Sequence, residues 1–143
     1  MVIKQRPADK GLILLAANIN QLTDFVRPLD DEIIDRIMPT WPGPVTWLLP
    51  VKDEVSPLVR GNHSTIAVRI SDHPVCQQLC QRLGHPLIST SANLSGRPPA
   101  LSAEQAEQQL GSQIDLILDK PLGGRGNPSE IRHAITNEIL RKG

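Results

Sequence analysis

An α/β fold, a twisted open mixed β-sheet flanked by helices, is the architecture this sequence predicts. Short apolar runs bounded by Gly, Pro and polar clusters alternate with helical stripes along most of the chain, and the C-terminal stretch is β-rich, which together favour an open sheet with at least one antiparallel edge. Among 143 residues, 39% are hydrophobic, yet there are one Phe, two Trp and no Tyr, so Leu, Ile and Val must build the core. No repeat, linker or low-complexity segment interrupts the pattern, and the length suits one domain, 1–143, around one core.

Leu12 to Ala17 is an apolar run after Gly11 and reads as a buried strand. Ile19, Leu22, Phe25 and Val26 form the stripe of a short helix. Asp30 is placed to cap a second helix whose apolar face is Ile33, Ile34, Ile37 and Met38, with Pro39 near its end. Trp41-Pro42-Gly43-Pro44 is a rigid turn into a strand, Val45 to Leu49. In Thr65 to Ile70, Ile66, Val68 and Ile70 alternate with Ala67 and Arg69, a strand with one apolar face. A helix opens at Pro74, where the missing N–H has no partner to lose, carries Val75, Cys76, Leu79, Cys80 and Leu83 on one face, and stops at Gly84. Pro86 to Thr90 is a strand running into Ser91-Ala92-Asn93-Leu94-Ser95-Gly96. Ser102 and Gln105 form a capping box for a helix ending near Gly111, and Ile114 to Leu118 reads as a strand. Glu130 to Ile135 and Glu138 to Arg141 pair as a hairpin around Thr136-Asn137.

Fifteen basic and fifteen acidic side chains cancel, and the pI is about 6.9. Composition therefore supplies no general attraction to phosphate, and any RNA contact needs a local patch such as Lys4, Arg6 and Lys10 with Arg97 or Arg125. Cys76 and Cys80 share one helix face with no further ligand pair to complete a zinc site, so they read as small buried hydrophobes. Neither a secretory signal nor a long apolar run is present, and the expectation is a soluble cytoplasmic protein without a membrane segment.

Three clusters carry chemistry. Lys4-Gln5-Arg6-Pro7 with Lys10 gathers three cations on a stiffened stretch, either a solvated basic segment or a grip for a triphosphate. Ser89 to Gly96 sets hydroxyls and an amide at the end of a buried strand, where α/β sheets collect ligands. It holds no Gly-x-Ser-x-Gly elbow or Ser-x-x-Lys pair, which disfavours a serine nucleophile, and His73 and His85 each precede a proline and read as structural. Arg69, inside an apolar strand, needs an anionic partner, either a protein carboxylate or a ligand's. Ser129 and Arg141 complete the polar candidates without a local signal. No P-loop or Gly-x-Gly-x-x-Gly exists, and Gly123-Gly124-Arg125-Gly126 is a loop able to nest an anion.

In this order the segments resemble the threonylcarbamoyl-AMP synthase (YrdC-like) family. Lys4-Gln5-Arg6-Pro7 resembles its Lys-x-Arg motif, Trp41-Pro42-Gly43-Pro44-Val45-Thr46 its Trp-Pro-Gly-Pro-x-Thr turn, and Thr65-Ile66-Ala67-Val68-Arg69 its Thr-Val-Ala-Val-Arg strand. Ser91-Ala92-Asn93-Leu94-Ser95-Gly96 is similar to its Ser-x-Asn motif, and Asn127-Pro128-Ser129-Glu130-Ile131 with Leu140-Arg141-Lys142-Gly143 to its closing segments.

The resemblance implies that L-threonine, bicarbonate and ATP give threonylcarbamoyl-adenylate and pyrophosphate, for modification of adenosine 37 of tRNA. It implies that Arg6, Thr65, Asn93 and Arg141 contact ATP, with Lys4 beside the phosphates and Lys10 at a variable ATP position. Arg69 and Ser129 would hold threonine, and Ser91 would lie where the substrates meet. Lys4, Arg6 and Ser91 are then the catalytic candidates, Mg²⁺ would accompany ATP without a protein metal cluster, and tRNA and proteins of the same pathway are potential partners. Leu101 stands where family members often carry a hydroxyl or a cation. The family's opening strand, helix and Tyr-Pro-Thr segment have no counterpart here, so the expected fold is a YrdC-like domain truncated at its N-terminus. The same surface could instead serve a non-catalytic RNA-binding remnant. A carbamoyl-transfer domain of hydrogenase maturation proteins is disfavoured, since those chains are much longer.

Overall fold

The computed structural model describes residues 11–123 and 128–143. Its strands and helices follow in the order β1 (Ile13–Ala16), α1 (Asp31–Ile37), β2 (Val45–Pro50), α2 (Pro57–Arg60), β3 (Thr65–Ile70), α3 (Pro74–Leu83), β4 (Leu87–Ser89), α4 (Ala103–Leu110), β5 (Glu130–His133) and β6 (Ile139–Arg141). The strands form one sheet in the order β4-β1-β3-β2-β5-β6. β1–β3 and β2–β5 are parallel, whereas β1–β4, β2–β3 and β5–β6 are antiparallel, so the sheet is mixed and both outer pairs are antiparallel.

The two faces of the sheet have different fates, and β3 shows why. Its Ile66, Val68 and Ile70 are buried while Thr65, Ala67 and Arg69 are half-buried, the period-two alternation of a strand with unlike faces. Opposite Val68, β2 places Trp47, and the same face carries Leu49, Leu14 and Ala16. This is the core side, closed by Ile37 and Ile33 of α1 and by Leu22, Val26 and Trp41 of the connecting segments. The second face is covered at the β1 end by α3, whose buried Cys80 donates its thiol to the Leu15 carbonyl at 3.2 Å. Burial raises the Cys80 thiol above its ordinary pKa, as expected for a packed rather than a reactive cysteine. Cys76 is only half-buried, and both cysteines are free.

Local signals account for the element ends. The His73 ring accepts the Val75 N–H at 3.3 Å through Nδ1 and caps α3, and its Nε2 lies 3.0 Å from the Pro121 carbonyl, so this histidine is structural. Gly84 ends the helix at φ 74°, the left-handed conformation a glycine adopts without cost. Ser102 caps α4 by accepting the Gln105 N–H, while the Gln105 side chain reaches back to the Leu101 N–H rather than to that of Ser102. Asp30 stands at the N-cap of α1 but makes no side-chain cap bond.

Three expectations are corrected. Ile19 to Val26 is not one helix: a single 3₁₀ turn spans Ile19–Leu22, and the backbone of Val26 forms an isolated antiparallel bridge with Val51. The apolar spacing was right about burial, since Leu22 and Val26 both enter the core, but a 3₁₀ turn followed by a bridge buries the same residues as a helix would. Ile114 to Leu118 forms no strand; Leu116 and Leu118 are exposed, and no neighbouring strand offers them a ladder among the described residues. Leu83 is likewise exposed, although it keeps the apolar spacing of α3, of which it is the last residue.

Gly11 brings the chain into β1 at φ 61°, with Leu12 N–H bonded to the Val59 carbonyl at 2.8 Å. A Cβ there would lie 2.9 Å from the Arg60 carbonyl oxygen. Gly11→Ala is therefore expected to cost about 1–2 kcal/mol of stability, from the left-handed backbone and the contact together. Urea unfolding checks this, and an unchanged midpoint would show that the segment shifts freely.

Candidate functional site

The part of the second face that α3 leaves uncovered is a cleft of about 490 Å³, a size suited to a small molecule. Its floor follows from the registers: Leu48 pairs with Ala67, Thr46 with Ile131, and Ile131 with Arg141, so residues of β3, β2, β5 and β6 present side chains to one side. Thr65 and Arg69 rise from the floor at the two ends of β3. Ser89, Thr90 and Ser91, at and beyond the end of β4, make one wall, and Ser129 and Arg141 face them. The antiparallel pairs put opposite strand ends side by side, so the cleft lies across the sheet face rather than at a common carboxyl edge as the sequence argument expected.

Arg141 is anchored. Its Nε and Nη2 donate to the Ser129 carbonyl at 3.0 and 2.6 Å, and Nη2 also reaches the Ser129 Oγ at 3.2 Å. Ser129 Oγ lies 3.0 Å from Oγ1 of the fully buried Thr46. The Arg141 guanidinium is held below its usual pKa range, first by partial burial and then by the positive charge of Arg69, so the two arginines share one electrostatic environment. Neither Asp nor Glu lines the cleft among the described residues, whereas Arg60, Arg69 and Arg141 do. A hollow with this charge attracts anions.

Of the predicted residues, Thr65, Arg69, Ser91, Ser129 and Arg141 meet in this cleft. Asn93 stands back from its lining: it accepts the Ser91 hydroxyl at 2.6 Å and donates its amide to the Arg97 carbonyl at 2.6 Å, which orders the turn bearing Ser91. Lys4, Arg6 and Lys10 lie outside the described residues, as does Arg125. Arg60 and His63 were missed. Arg60 donates to the Val55 and His63 carbonyls, at 3.0 and 3.1 Å, and borders the cleft beside the start of β3. The Arg60-Gly61 helix stop just before a strand was the available signal.

Fold and cleft together define the class, an open mixed-sheet α/β protein with a cationic, hydroxyl-lined hollow. Comparison with known proteins takes this further. The family model Sua5/YciO/YrdC, described as "Telomere recombination", matches residues 1–143, and the chain belongs to this family. It is 49% identical to a threonylcarbamoyl-AMP synthase of Photobacterium profundum over 145 residues, covering 100% of this chain and 78% of that protein. A Vibrio vulnificus protein of the same name is 51% identical over the same extent. Among solved structures, P. abyssi Sua5 complexed with L-threonine superposes with a TM-score of 0.88 at 30% identity, over 97% of this chain and 42% of that one. E. coli YciO gives 0.84 at 26% identity, over 99% of this chain and 69% of its own.

Proposed function

We propose that this chain is a transferase of tRNA modification that makes L-threonylcarbamoyl-adenylate from L-threonine, bicarbonate and ATP. The observation that carries the reading is the convergence of Arg69, Ser129 and Arg141 on one cleft free of acidic lining among the described residues. It is supported by the synthase name of relatives that match the whole chain and by the L-threonine bound to a structural neighbour.

In this reading Arg69 and Ser129 hold the threonine carboxylate, the guanidinium as a planar two-pronged donor. The amino group, left free, adds to bicarbonate with loss of water and becomes a carbamate. A carbamate oxygen then forms a bond to the α-phosphorus of ATP as the bond to the bridging oxygen breaks and pyrophosphate departs. Negative charge concentrates on the phosphoryl oxygens during that step, and fixed cations lower its cost most where no water has to reorganise. Arg141, already bonded to Ser129, is such a cation. Arginine stays protonated, so it contributes charge and alignment and no proton transfer. Thr65 contacts the nucleotide, Asn93 orders the turn that sets Ser91 between the substrates, and Lys4, Arg6 and Lys10 complete the phosphate contacts. No three His, Cys, Asp or Glu side chains gather among the described residues. A Mg²⁺ ion accompanying ATP would be held in part by the triphosphate oxygens. The product would supply the threonylcarbamoyl group of adenosine 37 in tRNA.

Incubating the purified chain with L-threonine, bicarbonate and ATP is expected to release pyrophosphate and form the adenylate, identified by mass, only when all three are present. Retention of tRNA with no adenylate under any condition would replace this reading with that of an RNA-binding remnant.

A further inference from the structure

We infer that Thr46 is a positioning residue, which turns the Ser129 hydroxyl into a donor aimed at an acceptor-only group of the ligand, the carboxylate of the amino-acid substrate. The inference rests on the function proposed above and concerns a residue to which that function gave no role.

Thr46 is fully buried in β2, on the sheet face that bears the cleft but beneath its lining, with Leu48 on the same face and Ile131 opposite it on β5. A hydroxyl in such a place is costly unless it is bonded. Its side-chain partner is Ser129 Oγ, at 3.0 Å.

The direction of that bond follows from counting donors and acceptors. Each hydroxyl has one proton and two acceptor sites. If Ser129 donated to Thr46, the Thr46 proton would be buried without an acceptor, which is the expensive arrangement. Thr46 therefore donates. Ser129 Oγ also accepts from Arg141 Nη2 at 3.2 Å, and a guanidinium can only donate. With both acceptor sites of Ser129 engaged, its single proton is left to point into the cleft. A carboxylate oxygen completes the set, whereas an ammonium or amide N–H finds no acceptor there. Ser129 thereby complements Arg69, which can likewise only donate, and the pair select a carboxylate over the amine of the same ligand.

A double-mutant cycle read by calorimetry with L-threonine tests this, using wild type, Thr46→Val, Thr46→Ser, Ser129→Ala and the combined Thr46→Val/Ser129→Ala chain. Thr46→Val, of nearly the same shape, is expected to weaken L-threonine binding about threefold to tenfold, and Thr46→Ser by less than about twofold. In the Ser129→Ala background Thr46→Val should cost nothing further, and Thr46→Val or Thr46→Ser alone should leave ATP affinity unmoved. If Thr46→Val fails to fold, Thr46→Ala runs through the same cycle. An equal loss with and without the Ser129 hydroxyl would show Thr46 to be merely structural, and wild-type affinity in Thr46→Val would overturn the relay outright. Should the wild-type chain bind no L-threonine, the substrate reading itself falls and takes the carboxylate assignment with it.

Discussion

Arg69→Ala should weaken L-threonine binding by about a hundredfold or more while leaving ATP affinity within about threefold. Two charge-assisted hydrogen bonds from one guanidinium are each worth about 1.5–3 kcal/mol, and about 1.4 kcal/mol is a factor of ten. Arg69 is placed for this: it is the charged member of the cleft-facing set Thr65, Ala67 and Arg69, near the end of a strand whose other face is locked into the core. Arg69→Lys keeps the charge and loses the planar fork, so a penalty of about tenfold is expected. Calorimetric titration with each substrate separates the possibilities. Equal losses for threonine and ATP would make Arg69 a structural ion-pair partner instead.

Trp47→Ala should destabilise the fold by about 3–5 kcal/mol, the range for removing a large buried aromatic side chain. Trp47 is fully buried at the centre of β2, opposite Val68. Its indole N–H donates to Thr40 Oγ1 at 2.8 Å, and Thr40 donates to the Ile37 carbonyl at 2.6 Å, which ties the sheet to the end of α1. Arg132, ion-paired with Glu130, holds its guanidinium carbon 5.8 Å from the ring centroid. Thr46, the positioning residue, is the neighbouring residue on the opposite face, so looseness at Trp47 would also blur the cleft floor. Thermal unfolding should show a fall of about 10 °C or more. A loss below about 1 kcal/mol would mean that the aliphatic residues around Trp47 close the space.

Elements with a local cause were legible in the residues. The alternation in Thr65–Ile70, the Pro74 start and Gly84 stop of α3, and the Ser102 cap act within a few residues of themselves, and the structure places each where its pattern put it. Ile114 to Leu118 has equally apolar letters, but a strand exists only where a neighbour offers a ladder, and none does among the described residues. The Ile19 to Val26 stripe was read with the wrong geometry because burial periodicity over so few residues does not separate a helix from a turn and a bridge.

The sequence by itself marked most of the polar side chains that meet in the cleft. Arg69 stood out as a charge in an apolar strand, and of the residues the ordered motifs marked, Thr65, Ser91, Ser129 and Arg141 line the cleft, Asn93 stands behind it, and Lys4 and Arg6 lie outside the described residues. Tertiary structure alone decided how they work together. Thr46 and Ser129 are 83 positions apart and Ser129 and Arg141 are 12 apart, yet the parallel pairing of β2 with β5 and the hairpin of β5 with β6 stack their polar atoms within 3.2 Å. No local pattern encodes that meeting, because strand order and register arise from the packing of the whole sheet. Burial then gives the meeting its chemistry: a Thr46 hydroxyl in water could bond in any direction, but closed beneath the cleft it has one acceptor, and the direction of the Ser129 proton follows from that.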